Sequence, residues 1–199
     1  DKFYGFMGGE TNQWAPLVYD GTTVVEIPHD PNYHFMTDMT DQAIKWVKAQ
    51  KSLTPDRPFF MYFAPGATHA PHQVPKEWIA KYRGKFDQGW DKVREETLVR
   101  QKALGVVPAD TPLAPKPSFI KDWNKLSLDE QRLFARQMEV FAGFGEFADT
   151  EIGRLVGAIR DLGQLDHVGQ LVEIDRVTLA EQRVVVPTVE IHASPRDRK

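Results

Sequence analysis

Apolar residues in the last third of the chain recur at helical spacing, at Phe134, Met138, Phe141, Ala148, Ile152, Leu155, Ile159 and Leu162. That period predicts one amphipathic helix of about 35 residues, its apolar stripe facing a core. Ser127 and Glu130 precede it with the spacing of a capping box, in which each side chain satisfies the other residue's backbone N–H. Gly163 supplies a stop. Gly143 and Gly145 either split the helix or let another element approach it closely. A coiled-coil seam is the alternative use of such a stripe.

Earlier in the chain the pattern alternates between helix and strand. Thr37 is a candidate N-cap, followed by Asp38 and Asp41 in the first turn, Lys45, Lys48 and Lys51 toward the end, and Ile44 and Val47 on an inner face. Charge order and apolar spacing agree on a helix to about Gln50. Phe59 to Phe63 has no polar alternation, which predicts a strand covered on both faces and central in a parallel sheet. Thr23 to Ile27 is a shorter strand candidate stopped by Pro28. Pro75 suits the first turn of a short helix over Lys76 to Tyr82, and Trp90 to Leu104 reads as another helix closed by Gly105. Pro108, Pro112, Pro115 and Pro117 then exclude helix and sheet alike. After Asp166, Gln170 to Val177 and Gln182 to His192 are strand candidates that either pair as a hairpin or form a tail, and Val184 to Val186 would make an exposed edge adhesive. Helix, turn and strand in succession give an α/β class, taken as one domain.

Composition narrows the function. With 199 residues, 41% apolar and 27% charged, the chain can bury a substantial core. A formal charge of −3 with no basic cluster excludes nucleic acid as a partner. No apolar run approaches the roughly 18 residues of a membrane helix, and no basic-then-apolar leader opens the sequence, so a soluble protein, cytoplasmic or periplasmic in bacteria, is expected. There is no cysteine, hence no disulfide framework.

Candidate chemistry sits after the Phe59 strand, where Pro65 and Gly66 end it and His69 and His72 follow. Ligands of open α/β sheets bind beyond the carboxyl ends of strands, which marks both histidines, although surface or structural roles are the commoner fate of loop histidines. His29, His34 and His192 carry no comparable signal.

Three segments resemble the middle of a bacterial arylsulfatase: Phe3-Tyr4-Gly5-Phe6-Met7-Gly8-Gly9-Glu10-Thr11-Asn12-Gln13-Trp14, Phe63-Ala64-Pro65-Gly66-Ala67-Thr68-His69-Ala70-Pro71-His72, and Arg136-Gln137-Met138-Glu139-Val140-Phe141-Ala142-Gly143-Phe144. The stretches Lys76-Glu77-Trp78, Lys81 to Asp87 and Arg94-Glu95-Glu96 fit the same family. The likeness covers roughly residues 1 to 166, read as the middle segment of a sulfatase-like catalytic domain, with residues 167 to 199 a divergent tail. It implies an alkaline-phosphatase-like α/β sandwich, a mixed sheet flanked by helices and incomplete relative to the family. It also implies hydrolysis of sulfate esters with a bound calcium ion and a formylglycine nucleophile made from Cys or Ser. His69 matches the family histidine that contacts the sulfate.

The same comparison shows what this sequence lacks. The family's Cys-x-Pro-x-Arg motif has no counterpart, for Leu53-Thr54-Pro55-Asp56-Arg57 places Leu53 at the nucleophile position and reads as a turn before a strand. No upstream aspartate pair or Lys-Trp-His segment appears, and no Asp-Asn-Gly follows Gly163-Gln164-Leu165-Asp166, where Asp175 is either a stray calcium ligand or an ordinary strand-end carboxylate. No cofactor is therefore expected to be held within this chain. Two readings follow. The chain is a segment of a working sulfuric-ester hydrolase acting on a small-molecule sulfate ester, or it is a catalytically inactive remnant serving binding or assembly.

Overall fold

The computed structural model describes residues 1–164, 168–171 and 189–193. These fall into two compact units. The first comprises residues 1–74 with the described residues from Phe144 onward, and the second residues 75–143.

In the first unit, strands β1 (Tyr4–Gly5), β2 (Val18–Asp20) and β3 (Thr23–Val25) form an antiparallel sheet in chain order. Gly21, at φ 61°, makes the turn between β2 and β3, a left-handed conformation that costs glycine little. Helix α1 (Phe35–Leu53) follows, and the cap is not Thr37. It is His34, whose Nδ1 accepts the backbone N–H of Met36 at 3.2 Å. Capping by a ring nitrogen starts the helix earlier than Ser/Thr/Asp/Asn cap preferences indicate. Thr37 instead lies inside the first turn and donates its hydroxyl to Glu151 Oε1 at 3.3 Å.

Strand β4 (Phe60–Phe63) corrects the expectation of a central parallel strand. Among the described residues it is at the edge of a second antiparallel sheet, ordered β4-β6-β5, with β5 at Val168–Leu171 and β6 at Val189–Ala193. Phe63 is buried and Phe59 and Met61 pack on the core, whereas Phe60 and Tyr62 are 53% and 63% exposed. An all-apolar run is compatible with two covered faces, but among the described residues Phe60 and Tyr62 remain exposed on one of them. The tail candidates are thus realised in part: β5 and β6 pair antiparallel, while Asp175 and Val184 to Val186 lie outside the described residues.

Val18, Tyr33, Phe35, Met39, Val47, Phe63, Leu155 and Ile159 form the first unit's core, joining β2, α1, β4 and the carboxyl half of helix α4 (Leu128–Asp161). Each fully buried large side chain contributes about 1.5–3 kcal/mol. Beside that core the hydroxyls of Tyr4 and Tyr33 both donate to Asp38 Oδ2, at 2.6 and 2.9 Å.

Helix α4 has 34 residues and does not break at its glycines. Its start is the expected capping box: Ser127 N donates to Glu130 Oε2 at 2.7 Å and Glu130 N to Ser127 Oγ at 3.3 Å. The buried face, however, runs through Ala135, Glu139, Phe144, Phe147, Ala148, Glu151, Leu155 and Ile159, and Met138 is 38% exposed rather than core. Two glutamates occupy that face because each has partners. Glu151 takes the Thr37 hydroxyl and Arg154, and Glu139 accepts Gly84 N at 2.8 Å and Arg136 Nη1 at 2.6 Å.

The second unit contains α2 (Lys76–Ala80), α3 (Gly89–Ala103) and the amino-terminal half of α4. At Gly143 a Cβ would stand 3.0 Å from the backbone of Trp78 and Ile79, so the glycine admits α2 at close approach. Trp90 meets Trp123 edge-on at 4.9 Å and Phe134 at 5.4 Å. The proline-rich stretch from Pro108 to Pro117 contains neither helix nor strand.

Candidate active-site loop

The loop from Ala64 to Gln73 leaves the carboxyl end of β4 and carries both candidate histidines. Its far end is fixed from two sides. Gln73 Oε1 accepts Gln13 N at 2.7 Å, and Gln73 O accepts His34 Nε2–H at 3.0 Å. Within it, His69 N donates to Gly66 O at 2.9 Å, closing a turn.

His69 is 62% exposed at the side chain. Its Nδ1–H donates to the carbonyl oxygen of Ala70 at 2.7 Å, since a carbonyl can only accept. That commitment leaves Nε2 for a ligand, as an acceptor when the ring is neutral and a donor when it is protonated. Glu10 Oε2 lies 3.8 Å from Nδ1, and with its own side chain 65% exposed the pair contributes at most about 1 kcal/mol. The geometry therefore offers one positioned imidazole with a carboxylate beside it, open to solvent. His69 lies past the carboxyl end of its strand as expected, although the strand is an edge and His69 lines neither a groove of about 570 Å³ beside β4 nor one of about 680 Å³ between α1 and α4.

Beneath the loop, Gln13 is nearly fully buried, yet its Oε1 has no partner among the described residues, and neither has Thr68 Oγ1. His72 Nε2–H donates to Thr68 O at 3.1 Å, a brace within the loop. His34 is 3% exposed, with its ring edge-on to Trp14 and Phe147. Burial pushes its pKa below the usual histidine value, only partly opposed by the Gln73 carbonyl and the Glu151 charge. His29 is exposed beside Glu26, and His192 is a backbone partner of Phe60 in the sheet. Leu53 ends α1 and Thr54 caps it, so that region is a turn before a strand and no nucleophile elbow.

Among the described residues no three His, Asp or Glu side chains converge where they could hold a metal ion. These residues do not by themselves build the six to eight oxygen ligands that calcium takes. Nor is any helix among them long and apolar enough to cross a membrane.

Sequence pattern missed the anchors of the loop. His34, Gln73 and Gln13 act through single hydrogen bonds spanning 39 and 60 residues, which no local period reports. Glu10 stood inside a recognised segment, but nothing in its neighbourhood along the chain pointed to His69.

The sulfatase family model matches residues 1–169, and the chain belongs to the sulfatase family. It is 31% identical over 173 residues to an arylsulfatase of Klebsiella aerogenes, covering 81% of this chain and 36% of that protein. It is 37% identical over 174 residues to an uncharacterized sulfatase of Schizosaccharomyces pombe, covering 80% of this chain and 31% of that protein. The chain thus spans about a third of the length of the curated relatives it matches.

Proposed function

We propose that this chain is the part of a sulfuric-ester hydrolase that brings His69 to the sulfate, in an alkaline-phosphatase-like domain whose mixed sheet is completed by further polypeptide. The observation that carries the reading is His69 itself, in a family-matched loop, with Nδ1 committed to the Ala70 carbonyl and Nε2 left open. As a sulfate ester cleaves, negative charge grows on the sulfate oxygens and on the leaving oxygen. A protonated His69 offers Nε2–H to one of those oxygens, and the backbone bond at Nδ1 keeps the ring from rotating away.

The rest of the catalytic unit lies outside these residues. The sequence has no cysteine to become formylglycine, and the residues described do not fit a calcium shell. The family's calcium would supply charge compensation for a sulfate oxygen, and its ligands are assigned to other parts of the polypeptide. The substrate is a small-molecule sulfate ester, and residues 1–166 act as the middle segment of the catalytic domain.

Two assays test this. The purified chain, given a chromogenic aryl sulfate with and without calcium, is expected to show no turnover above background. Placed in the Klebsiella aerogenes arylsulfatase in exchange for the matching segment, it is expected to support turnover that His69→Ala lowers by about 100-fold or more, the usual scale for removing a donor to developing negative charge. Calcium-dependent turnover by the chain alone would mean a nucleophile has been overlooked. An active chimera indifferent to His69→Ala would remove His69 from the sulfate.

A further inference from the structure

The loop that carries His69 is braced within itself. His69 N donates to Gly66 O at 2.9 Å, His69 Nδ1–H to Ala70 O at 2.7 Å, His72 Nε2–H to Thr68 O at 3.1 Å and Gln73 N to Pro71 O at 2.9 Å. A segment tied together in this way moves as one piece, so the direction of the His69 ring depends on how the ends of the piece are held. At the near end, Phe63 closes β4 and is buried. At the far end the joint is Gln73.

Gln73 turns two groups away from the loop. Its side-chain Oε1 accepts Gln13 N–H at 2.7 Å, and its carbonyl oxygen accepts His34 Nε2–H at 3.0 Å. Phe35 N, next to His34, donates to Gln13 O at 2.8 Å, which closes a ring of hydrogen bonds through residues 13, 73 and 34–35. Gln13 also lies against the near end of the loop, for a Cβ on Gly66 would stand 3.1 Å from its Nε2. Both ends of the loop therefore bear on Gln13. Of the two outward bonds of Gln73, only that of Oε1 depends on the side chain at position 73. Gln13 is 3% exposed, so withdrawing that acceptor strands a backbone N–H where water has little access, which is costlier than never having made the bond. The N–H finds another partner only if the loop or the segment beneath it shifts, and either shift moves His69.

We infer that Gln73 is a positioning residue for His69: its side-chain carbonyl seats the loop on Gln13 so that His69 Nε2 stands at hydrogen-bond distance from the sulfate. The inference rests on the role given to His69 in the proposed function. Gln73 itself touches no reacting atom and acts through the histidine. A donor to developing charge works only where it is held, and a displacement of about 1 Å costs about 100-fold in rate. A loop still tethered by the His34 bond forfeits part of that, on the order of tenfold.

The test compares Gln73→Leu, which removes the acceptor at similar volume, with Gln73→Glu, which keeps one. In the full 199-residue chain, amide hydrogen exchange at His69 is expected to quicken in Gln73→Leu by about tenfold more than at Val47 in the core, and to return toward the native rate in Gln73→Glu. In the chimera with the Klebsiella aerogenes arylsulfatase, Gln73→Leu is expected to lower kcat by about tenfold with KM changed by less than about twofold, and to have no further effect once His69 is alanine. Gln73→Glu is expected to restore most of the loss. The proposal is overturned if exchange at His69 is unchanged or quickens no more than at Val47, which would make Gln73 a support of the unit as a whole. A fall in kcat of equal size with and without His69, or no recovery in Gln73→Glu, overturns it as well. If His69→Ala leaves the chimera fully active, both assignments fall. If His69→Ala abolishes turnover while Gln73→Leu does not lower it, only the role of Gln73 falls.

Discussion

His34 Nε2–H donates to the carbonyl oxygen of Gln73 at 3.0 Å while His34 Nδ1 accepts the N–H of Met36, so one neutral imidazole both starts α1 and holds the far end of the His69 loop. The two bonds fix the tautomer. Protonation would place a hydrogen on Nδ1, facing another donor, in a site closed to water.

Stability should therefore fall with acidity through this residue. His34 is depressed below its ordinary 6.5, so the unfolded chain binds the proton first. Its contribution is complete above that ordinary value and is lost as pH falls through 6.5 toward the lower folded value. Urea melts from about pH 7.5 to about pH 5 are expected to show a steeper decline for the native chain than for His34→Asn, which can cap but cannot titrate. Equal slopes would assign the acid sensitivity elsewhere.

Position along α4 should separate Phe144, which lies outside the sequence-derived stripe, from Met138, which lies in it. Phe144 is fully buried, and Phe144→Ala is expected to cost about 3–5 kcal/mol. Met138→Ala, at an exposed site, is expected to change stability by no more than about 0.5 kcal/mol. Chemical denaturation of both variants checks the rotation of the buried face.

At Gly143 the cost should come from crowding. A Cβ there meets the backbone of Trp78 and Ile79 at 3.0 Å, and backbone cannot rotate aside as a side chain does. Gly143→Ala is expected to destabilise by about 1–3 kcal/mol even though alanine is the better helix former by about 1 kcal/mol. A stabilised variant in thermal melts would show that α2 yields without cost.

Thr68 should tolerate loss of its hydroxyl. Its Oγ1 is buried without a partner among the described residues, so Thr68→Val keeps the shape and removes an unsatisfied group. Denaturant melts are expected to show a change from zero to about 1 kcal/mol in favour of the variant. A loss larger than that would reveal a bridging water.

Local signals carried much of the fold. The box at Ser127 and Glu130 and the α4 period state their structure in adjacent residues, and the glycine at position 105 closes α3 with φ 69° as its placement implied. What failed depended on distance. Whether Phe59 to Phe63 has one covered face or two is settled by other segments, and the pattern of the strand itself is identical in both cases. The α4 stripe is buried at Ala148, Leu155 and Ile159 as its spacing implied but exposed at Met138, for a related reason: Glu139 and Glu151 count as polar in a periodic pattern but are neutralised by Arg136 and Arg154 one turn away. At the candidate site the position of the loop, with His69 in it just past the carboxyl end of β4, was legible from residue order. Its supports came from residues 13 and 34, which only folding brings near Gln73.

The two phenols that share Asp38 have a consequence in alkaline solution. Burial first, and the Asp38 carboxylate after it, push both Tyr4 and Tyr33 well above the ordinary 10.0, so the folded chain resists their ionisation where the unfolded chain does not. Their stabilising effect is whole below pH 10 and drains away as the solution grows more basic. The absorbance of tyrosinate then becomes a clock for opening of the first unit. While the hydroxyls remain on Asp38 these two rings stay silent, and their late ultraviolet signal marks the moment the β1 end and the start of α1 let go of each other.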